Sequence, residues 1–156
     1  MKIMVVGGGG REHAIIKKIK ENPAVSQIFA LPGNGGIAAD AVCVDIGAKD
    51  IEGITKFAVE NNMDFAVVAP DDPLVLGAVD ALKEAGIKTF GPDKKAAIIE
   101  GSKAFSKDLM KKYNIPTAAY ETFDDAKKAE AYLETADYPV VLKADGLALG
   151  KEIGRA

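Results

Sequence analysis

The sequence is short of the residues that announce metal, disulfide or membrane chemistry. It holds one cysteine, Cys43, and one histidine, His13, in 156 residues. A single cysteine excludes an internal disulfide and fits a reducing cytoplasm. One cysteine with one histidine also excludes a structural zinc site built from this chain alone. No apolar run approaches the ~20 residues of a membrane span. Met1 and Lys2 before the apolar Ile3 to Val6 are too short for a signal peptide and read as the start of a first strand. Neither charge sign dominates: 20 Lys and Arg stand against 23 Asp and Glu, a net −3. That balance argues against nucleic acid or an anionic membrane as the main partner. There is no internal repeat and no low-complexity segment. What remains is a globular composition, 48% hydrophobic and 28% charged, long enough for one full domain and part of another.

What is there in quantity is glycine, and four of the 16 stand together at Gly7-Gly8-Gly9-Gly10. They follow the apolar run Ile3 to Val6 and open into the helical pattern Arg11-Glu12-His13-Ala14. A strand that turns through glycine into a helix presents unpaired backbone N–H groups at the positive end of the helix dipole, and these attract phosphate. A tight turn alone needs one or two glycines, so four favour a ligand cradle. The dinucleotide fingerprint is a poor match, since it needs glycine at the first, third and sixth positions. Counted from Gly7 the sixth residue is Glu12, and from Gly8 it is His13. The ribose-binding acid expected at the end of the second strand is replaced by Pro32-Gly33-Asn34.

Apolar runs alternate with amphipathic stretches over the first hundred residues. The pattern predicts strands over 3–6, 27–31, 41–45, 65–69 and 88–90, and helices over 11–21, 51–60, 73–85 and 94–100. This is a doubly wound, mostly parallel α/β domain of Rossmann-like type. The pattern then changes to a helix over 103–113 capped by Ser102, a strand over 118–122, a helix over 124–134 and a strand over 139–143. That last strand, central in type, runs into the glycine-rich segment 144–151.

Seven segments in register carry a family resemblance: Gly9-Gly10-Arg11-Glu12-His13-Ala14, Pro32-Gly33-Asn34-Gly35-Gly36, Pro73-Leu74-Val75, Phe90-Gly91-Pro92, Glu100-Gly101-Ser102-Lys103-Ala104-Phe105, Ile115-Pro116-Thr117 and Lys143-Ala144-Asp145-Gly146-Leu147-Ala148. Together they resemble the amino-terminal part of the phosphoribosylamine–glycine ligases, the glycinamide ribonucleotide synthetases of the ATP-grasp superfamily. The resemblance implies a substrate-binding pre-ATP-grasp domain over 1–101 and the incomplete start of an ATP-grasp domain over 102–156. It implies ligation of glycine to 5-phosphoribosylamine in purine biosynthesis, with ATP and Mg²⁺ and through glycyl phosphate. The chain would be cytoplasmic, a monomer or weak dimer, without nucleic-acid or membrane partners. Two departures stand out. Ala69-Pro70-Asp71 replaces a common Gly-Pro-Glu, which shortens the carboxylate by one methylene. After Gly150-Lys151 the sequence reads Glu152-Ile153-Gly154-Arg155-Ala156, where the family continues with another glycine and a hydrophobic strand. The resemblance therefore leads us to expect the metal ligands in a missing carboxyl-terminal part and this chain to be inactive alone. The rivals are a non-catalytic sugar-phosphate or nucleotide-binding module and another ATP-grasp ligase.

The resemblance assigns the sugar phosphate to Gly8, Gly9, Gly10, Arg11 and Glu12, to Pro32, Gly33 and Asn34, and to Pro70 and Asp71. Arg11 is either a phosphate partner or a solvated helix-start residue, because a guanidinium suits phosphate while a cation is unfavourable at a helix amino terminus. Glu12 suits that terminus and is able to accept from ribose hydroxyls. His13 reads as a packed, hydrogen-bonded histidine ahead of a general base. Asp71 is the better candidate for a ribose hydroxyl, since Asp72 before Pro73 has the placing of a helix cap. ATP contacts are assigned to Lys103, Lys143, Asp145, Gly146, Gly150 and Lys151. A lysine ending the apolar run Val140-Val141-Leu142 is costly to bury without an anion.

Overall fold

The computed structural model describes residues 1–147 and 153–155. Two compact units divide it, Met1–Ala97 and Ile98–Ala156.

The first unit is built on five short parallel strands: β1 (Lys2–Gly7), β2 (Gln27–Pro32), β3 (Val42–Cys43), β4 (Phe65–Val68) and β5 (Lys88–Phe90). Their order is β3-β2-β1-β4-β5, so the chain starts in the middle, winds to one edge and returns past β1 to the other. Strand side chains alternate between faces, and β1 shows the consequence. Ile3 and Val5 join Ile16, Ile28, Ala30, Ile37 and Val67 in one cluster, closed by α1 (Gly10–Lys20). Met4 and Val6 join Leu31, Ile54, Ala58, Ala66, Val79 and Leu82 in the other, closed by α2 (Ile51–Glu60) and α4 (Ala78–Glu84). Burial on both faces explains why β1, β2 and β4 read as continuous apolar runs. Asp50 caps α2, its carboxylate accepting from Gly53 N at 2.9 Å.

Three elements differ from the sequence pattern. The third strand keeps only Val42–Cys43, because a tight turn with Ile46 N bonded to Val44 O at 2.7 Å diverts the chain. The helix expected over 73–85 is two helices, α3 (Asp71–Leu76) and α4, broken at Gly77 with φ +96°. Gly77 N bonds back to Pro73 O and Leu74 O, the carbonyls a left-handed glycine closes at a helix end. In the second unit, 118–122 forms no strand. It has no pairing partner among the described residues, and Lys107 Nζ takes Thr117 Oγ1 at 2.7 Å and Ala118 O at 3.0 Å instead.

α5 (Lys94–Gly101) carries the division between the units. The second unit contains α6 (Lys103–Lys112), α7 (Ala126–Leu133) and an antiparallel pair, β6 (Val141–Lys143) with β7 (Ile153–Arg155). Ser102 caps α6 as expected, accepting from Phe105 N at 3.1 Å. Among the described residues β6 pairs with β7 alone and is not central to a sheet, and Val141 and Leu142 are about half exposed.

Leu82 is fully buried under the sheet, whereas Leu76 on α3 is 49% exposed. Leu82→Ala is expected to destabilise the first unit by about 2–5 kcal/mol, and Leu76→Ala by no more than about 0.5 kcal/mol. Urea unfolding followed on first-unit amide signals measures both.

Candidate functional site

Parallel register brings three loops to one edge of the sheet. Gly7 pairs with Pro32, and Val68 at the end of β4 pairs with Val6. The segments after β1, β2 and β4 therefore meet where strand order reverses between β1 and β4, the usual place for a ligand in an open α/β sheet.

The first loop is glycine for steric reasons. Gly7 has φ +121°, and a β-carbon there would lie 2.7 Å from Glu12 Cγ and 2.8 Å from Pro70 Cγ. A β-carbon on Gly8 would lie 2.5 Å from Gly33 O. Gly9 is the amino-terminal cap of α1 and offers no side chain to its N–H groups. The N–H groups of Gly10, Arg11 and Glu12 begin the helix, where no intrahelical carbonyl is available to them. They are donors at the positive end of the dipole. The Gly9 N–H is turned inward instead, donating to Glu12 Oε2 at 2.6 Å. Glu12 is 3% exposed, and its Oε1 is buried with no hydrogen-bond partner among the described residues. Arg11 is exposed and pairs with none of the described carboxylates.

The second loop locks onto the first. Gly33 N donates to Gly7 O at 3.2 Å. Asn34 Nδ2 donates to Gly8 O at 2.7 Å, while its Oδ1 accepts from Ile37 N at 2.8 Å. Gly33 has φ +71°, and Cys43 Sγ occupies the space a β-carbon would need, 2.5 Å from it. His13 is hydrogen-bonded: Nε2 meets Asp40 Oδ2 at 2.9 Å, and Lys20 Nζ holds Asp40 Oδ1 at 3.0 Å. The His13 hydrogen bond, with Lys20 behind it, keeps the Asp40 carboxyl below its ordinary range.

In the third loop Pro70, not Asp72, is the cap of α3. Asp71 and Asp72 are its first two residues, suited to the helix dipole, and Asp72 is paired with Lys49 Nζ at 2.6 Å. In the second unit Asp145 occupies the amino terminus of α6. Its Oδ1 accepts from Lys103 N at 2.6 Å and Ala104 N at 3.2 Å, and its Oδ2 accepts from Ser102 Oγ at 3.0 Å. Lys103 Nζ donates to the Gly146 carbonyl. Lys143 is exposed, so the expectation of a buried cation is corrected: among the described residues β6 pairs only with β7 and leaves it open. Gly150 and Lys151 lie outside the described residues.

Residues 1–100 match the family described as Phosphoribosylglycinamide synthetase, N domain, and residues 101–154 match Phosphoribosylglycinamide synthetase, ATP-grasp (A) domain. The chain belongs to the phosphoribosylglycinamide synthetase family. It is 50% identical to a phosphoribosylamine–glycine ligase of Caldanaerobacter subterraneus over 98% of this chain and 37% of that protein. The chain thus spans a little over a third of the length of that curated relative. A crystal structure of phosphoribosylamine–glycine ligase from Thermotoga maritima superposes over 99% of this chain and 36% of its own, with a TM-score of 0.76 and 28% identity. N5-carboxyaminoimidazole ribonucleotide synthetase from the same organism reaches a TM-score of 0.74 at 21% identity, covering 99% of this chain and 40% of that one, which is a likeness of fold.

In this chain the fold gathers Gly8, Gly9, Gly10, Glu12, Pro32, Gly33, Asn34 and Pro70 around one sheet edge, with Arg11 and Asp71 in the first turns of the adjoining helices. Asp40 and Cys43 support the second loop, and sequence reasoning missed both. Neither sits in a motif, and only their distance from Asp40 to His13 and from Cys43 to Gly33 reveals them. No helix among the described residues is long and apolar enough to cross a membrane.

Gly8→Ala is expected to cost about 1–3 kcal/mol by overpacking and to shift the amides of Gly33 to Ile37. Gly10→Ala meets nothing within 4 Å and leaves them in place. Proton–nitrogen correlation spectra with urea midpoints read both effects. A second prediction concerns acid. The Ala104 N–H above all, then the Ser102 hydroxyl and further backbone N–H groups, hold the Asp145 carboxyl below its ordinary 3.8, against the opposing effect of burial. The folded form thus favours the carboxylate, so its stabilisation is complete above 3.8 and is lost as pH falls through the lower folded value. Amide shifts of Lys103 and Ala104 are expected to titrate below pH 3.8, and Asp145→Asn is expected to abolish that titration.

Proposed function

We propose that this chain provides the sugar-phosphate half of a ligase that joins glycine to 5-phosphoribosylamine, giving glycinamide ribonucleotide for purine biosynthesis. One observation carries the reading: α1 opens on a glycine cap with uncapped N–H groups, at the crevice where strand order reverses. Gly8, Gly9, Gly10 and Arg11 receive the 5′-phosphate, with the Gly10, Arg11 and Glu12 N–H groups donating to it. Pro32, Gly33 and Asn34 form a second wall, and Pro70 and Asp71 a third, with Asp71 accepting from a ribose hydroxyl. Fixing the sugar phosphate in this way aims the amine at its reaction partner and supplies the positional part of catalysis.

The second part of the reading concerns the nucleotide. Residues 1–101 form the substrate-binding domain and 102–156 the start of an ATP-grasp domain. Lys103, Lys143, Asp145, Gly146, Gly150 and Lys151 are assigned to the nucleotide, and the ammonium groups of Lys103 and Lys143 suit a triphosphate. ATP, when bound, supplies the phosphoryl group that activates the glycine carboxylate. Mg²⁺ would accompany the nucleotide; among the described residues no group of three or more His, Cys, Asp or Glu side chains is placed for a metal ion. The single cysteine fits a reducing cytoplasm, and we take the chain as a monomer or weak dimer.

The test is a titration of the ¹⁵N-labelled chain with glycinamide ribonucleotide, a stable relative of the labile amine. Saturable shifts at the amides of Gly8 to Glu12 and Gly33 to Gly36 are expected. A folded spectrum without shifts there would sink the sugar-phosphate reading. Binding with no product formed from ATP, glycine and the amine would mark this chain as a binding module.

A further inference from the structure

We propose that Asn34 and Glu12 are positioning residues that clamp the Gly8–Gly9 peptide plane from opposite sides, so that the first loop meets phosphate with its donors outward. This inference rests on the sugar-phosphate reading and changes the role of both side chains from ligand contact to support of the loop. The peptide joining Gly8 to Gly9 is flanked by two residues without side chains, so its own conformational preferences hold its orientation weakly. Both of its polar ends are taken. The Gly8 carbonyl accepts from Asn34 Nδ2 at 2.7 Å, and the Gly9 N–H donates to Glu12 Oε2 at 2.6 Å. Rotation of this plane breaks both bonds at once. It also turns a carbonyl dipole toward the space in front of the Gly10, Arg11 and Glu12 N–H groups, where it would repel an anion.

The chemistry of the two clamps is specific. The Asn34 amide has donors at one end and an acceptor at the other. A carbonyl only accepts and an N–H only donates, so the Gly8 carbonyl and the Ile37 N–H settle which end of the amide faces which partner. Aspartate at 34 keeps the acceptor for Ile37 and loses the donor for Gly8. The clamp is seated by the approach of the loops, with Gly33 N on Gly7 O at 3.2 Å and Cys43 Sγ against the Asn34 carbonyl at 3.5 Å. Glu12 is anchored by burial, 3% exposed, with its side chain packed where a β-carbon on Gly7 would have to go.

The test compares the 156-residue chain with its Asn34→Asp and Asn34→Ala variants by ¹⁵N NMR titration. The probes are glycinamide ribonucleotide and, separately, inorganic phosphate. Losing one exposed hydrogen bond is expected to weaken both ligands by a similar factor, roughly three- to tenfold, and to shift the free-state amides of Gly9 and Gly10. Asn34→Ala adds no charge and also loses the acceptor for Ile37 N, so a loss there at least as large separates loop support from repulsion. Unchanged affinity in both variants, or a loss for glycinamide ribonucleotide with phosphate binding intact, would overturn the clamp; the latter marks Asn34 as a direct contact to sugar or amide. If the unsubstituted chain binds neither probe, the sugar-phosphate reading falls and the clamp with it. Variants that bind normally beside a binding unsubstituted chain overturn the clamp alone.

Discussion

The site depends on two backbones coming together without side chains between them. Gly7 and Gly8 at the end of β1 lie against Gly33 at the end of β2, and a β-carbon on Gly8 would sit 2.5 Å from the Gly33 carbonyl oxygen. Parallel register delivers both loops to this place, because Gly7 and Pro32 are paired neighbours. Separate the loops and Asn34 no longer reaches Gly8. The Gly8–Gly9 peptide would then keep only its tie to Glu12. The apolar core beneath matters to the site mainly as the platform that makes this approach repeatable. Met4, Val6 and Leu31 are fully buried within it.

Two helix amino termini show opposite uses of the same local physics. Each begins with N–H groups that lack carbonyl partners and with the positive end of a dipole. At α6 the demand is met internally, by the Ser102 hydroxyl on Phe105 N and by the Asp145 carboxylate on Lys103 and Ala104. At α1 the cap is glycine, and the nearby carboxylate of Glu12 reaches back only to the Gly9 N–H, leaving the next three donors uncapped. A closed terminus contributes to stability. An open one leaves donors for an incoming anion, which is why the phosphate reading attaches to α1 and not to α6.

Much of the scaffold was legible because its signals are local. Strands buried on both faces produce unbroken apolar runs, so the strands at 3–6, 27–31 and 65–69 emerge close to their observed bounds. Ser102 as the α6 cap was equally plain. The errors arose where a neighbour decides. Residues 118–122 have no partner strand among the described residues. The run over 73–85 is helical in pattern, but Gly77 closes one helix and starts another. Lys143 looked like a buried cation, and the ribbon formed by β6 and β7 leaves it in the open.

The sequence by itself determined the parallel α/β scaffold, the glycine turns and the helix whose amino terminus faces outward, because each follows from periodicity or from the absence of a β-carbon. Only the tertiary structure decided which polar atoms remain free. Glu12 and Asn34 look alike as ligand contacts in the sequence, yet three of their polar atoms are spent on backbone: Glu12 Oε2 on Gly9, and Asn34 Nδ2 and Oδ1 on Gly8 and Ile37. Asp145, assigned with the nucleotide contacts, also caps α6. A hydrogen bond is a contest between partners in space. Gly8 lies 26 residues from Asn34, and Lys103 lies 42 residues from Asp145, so no local pattern announces either outcome.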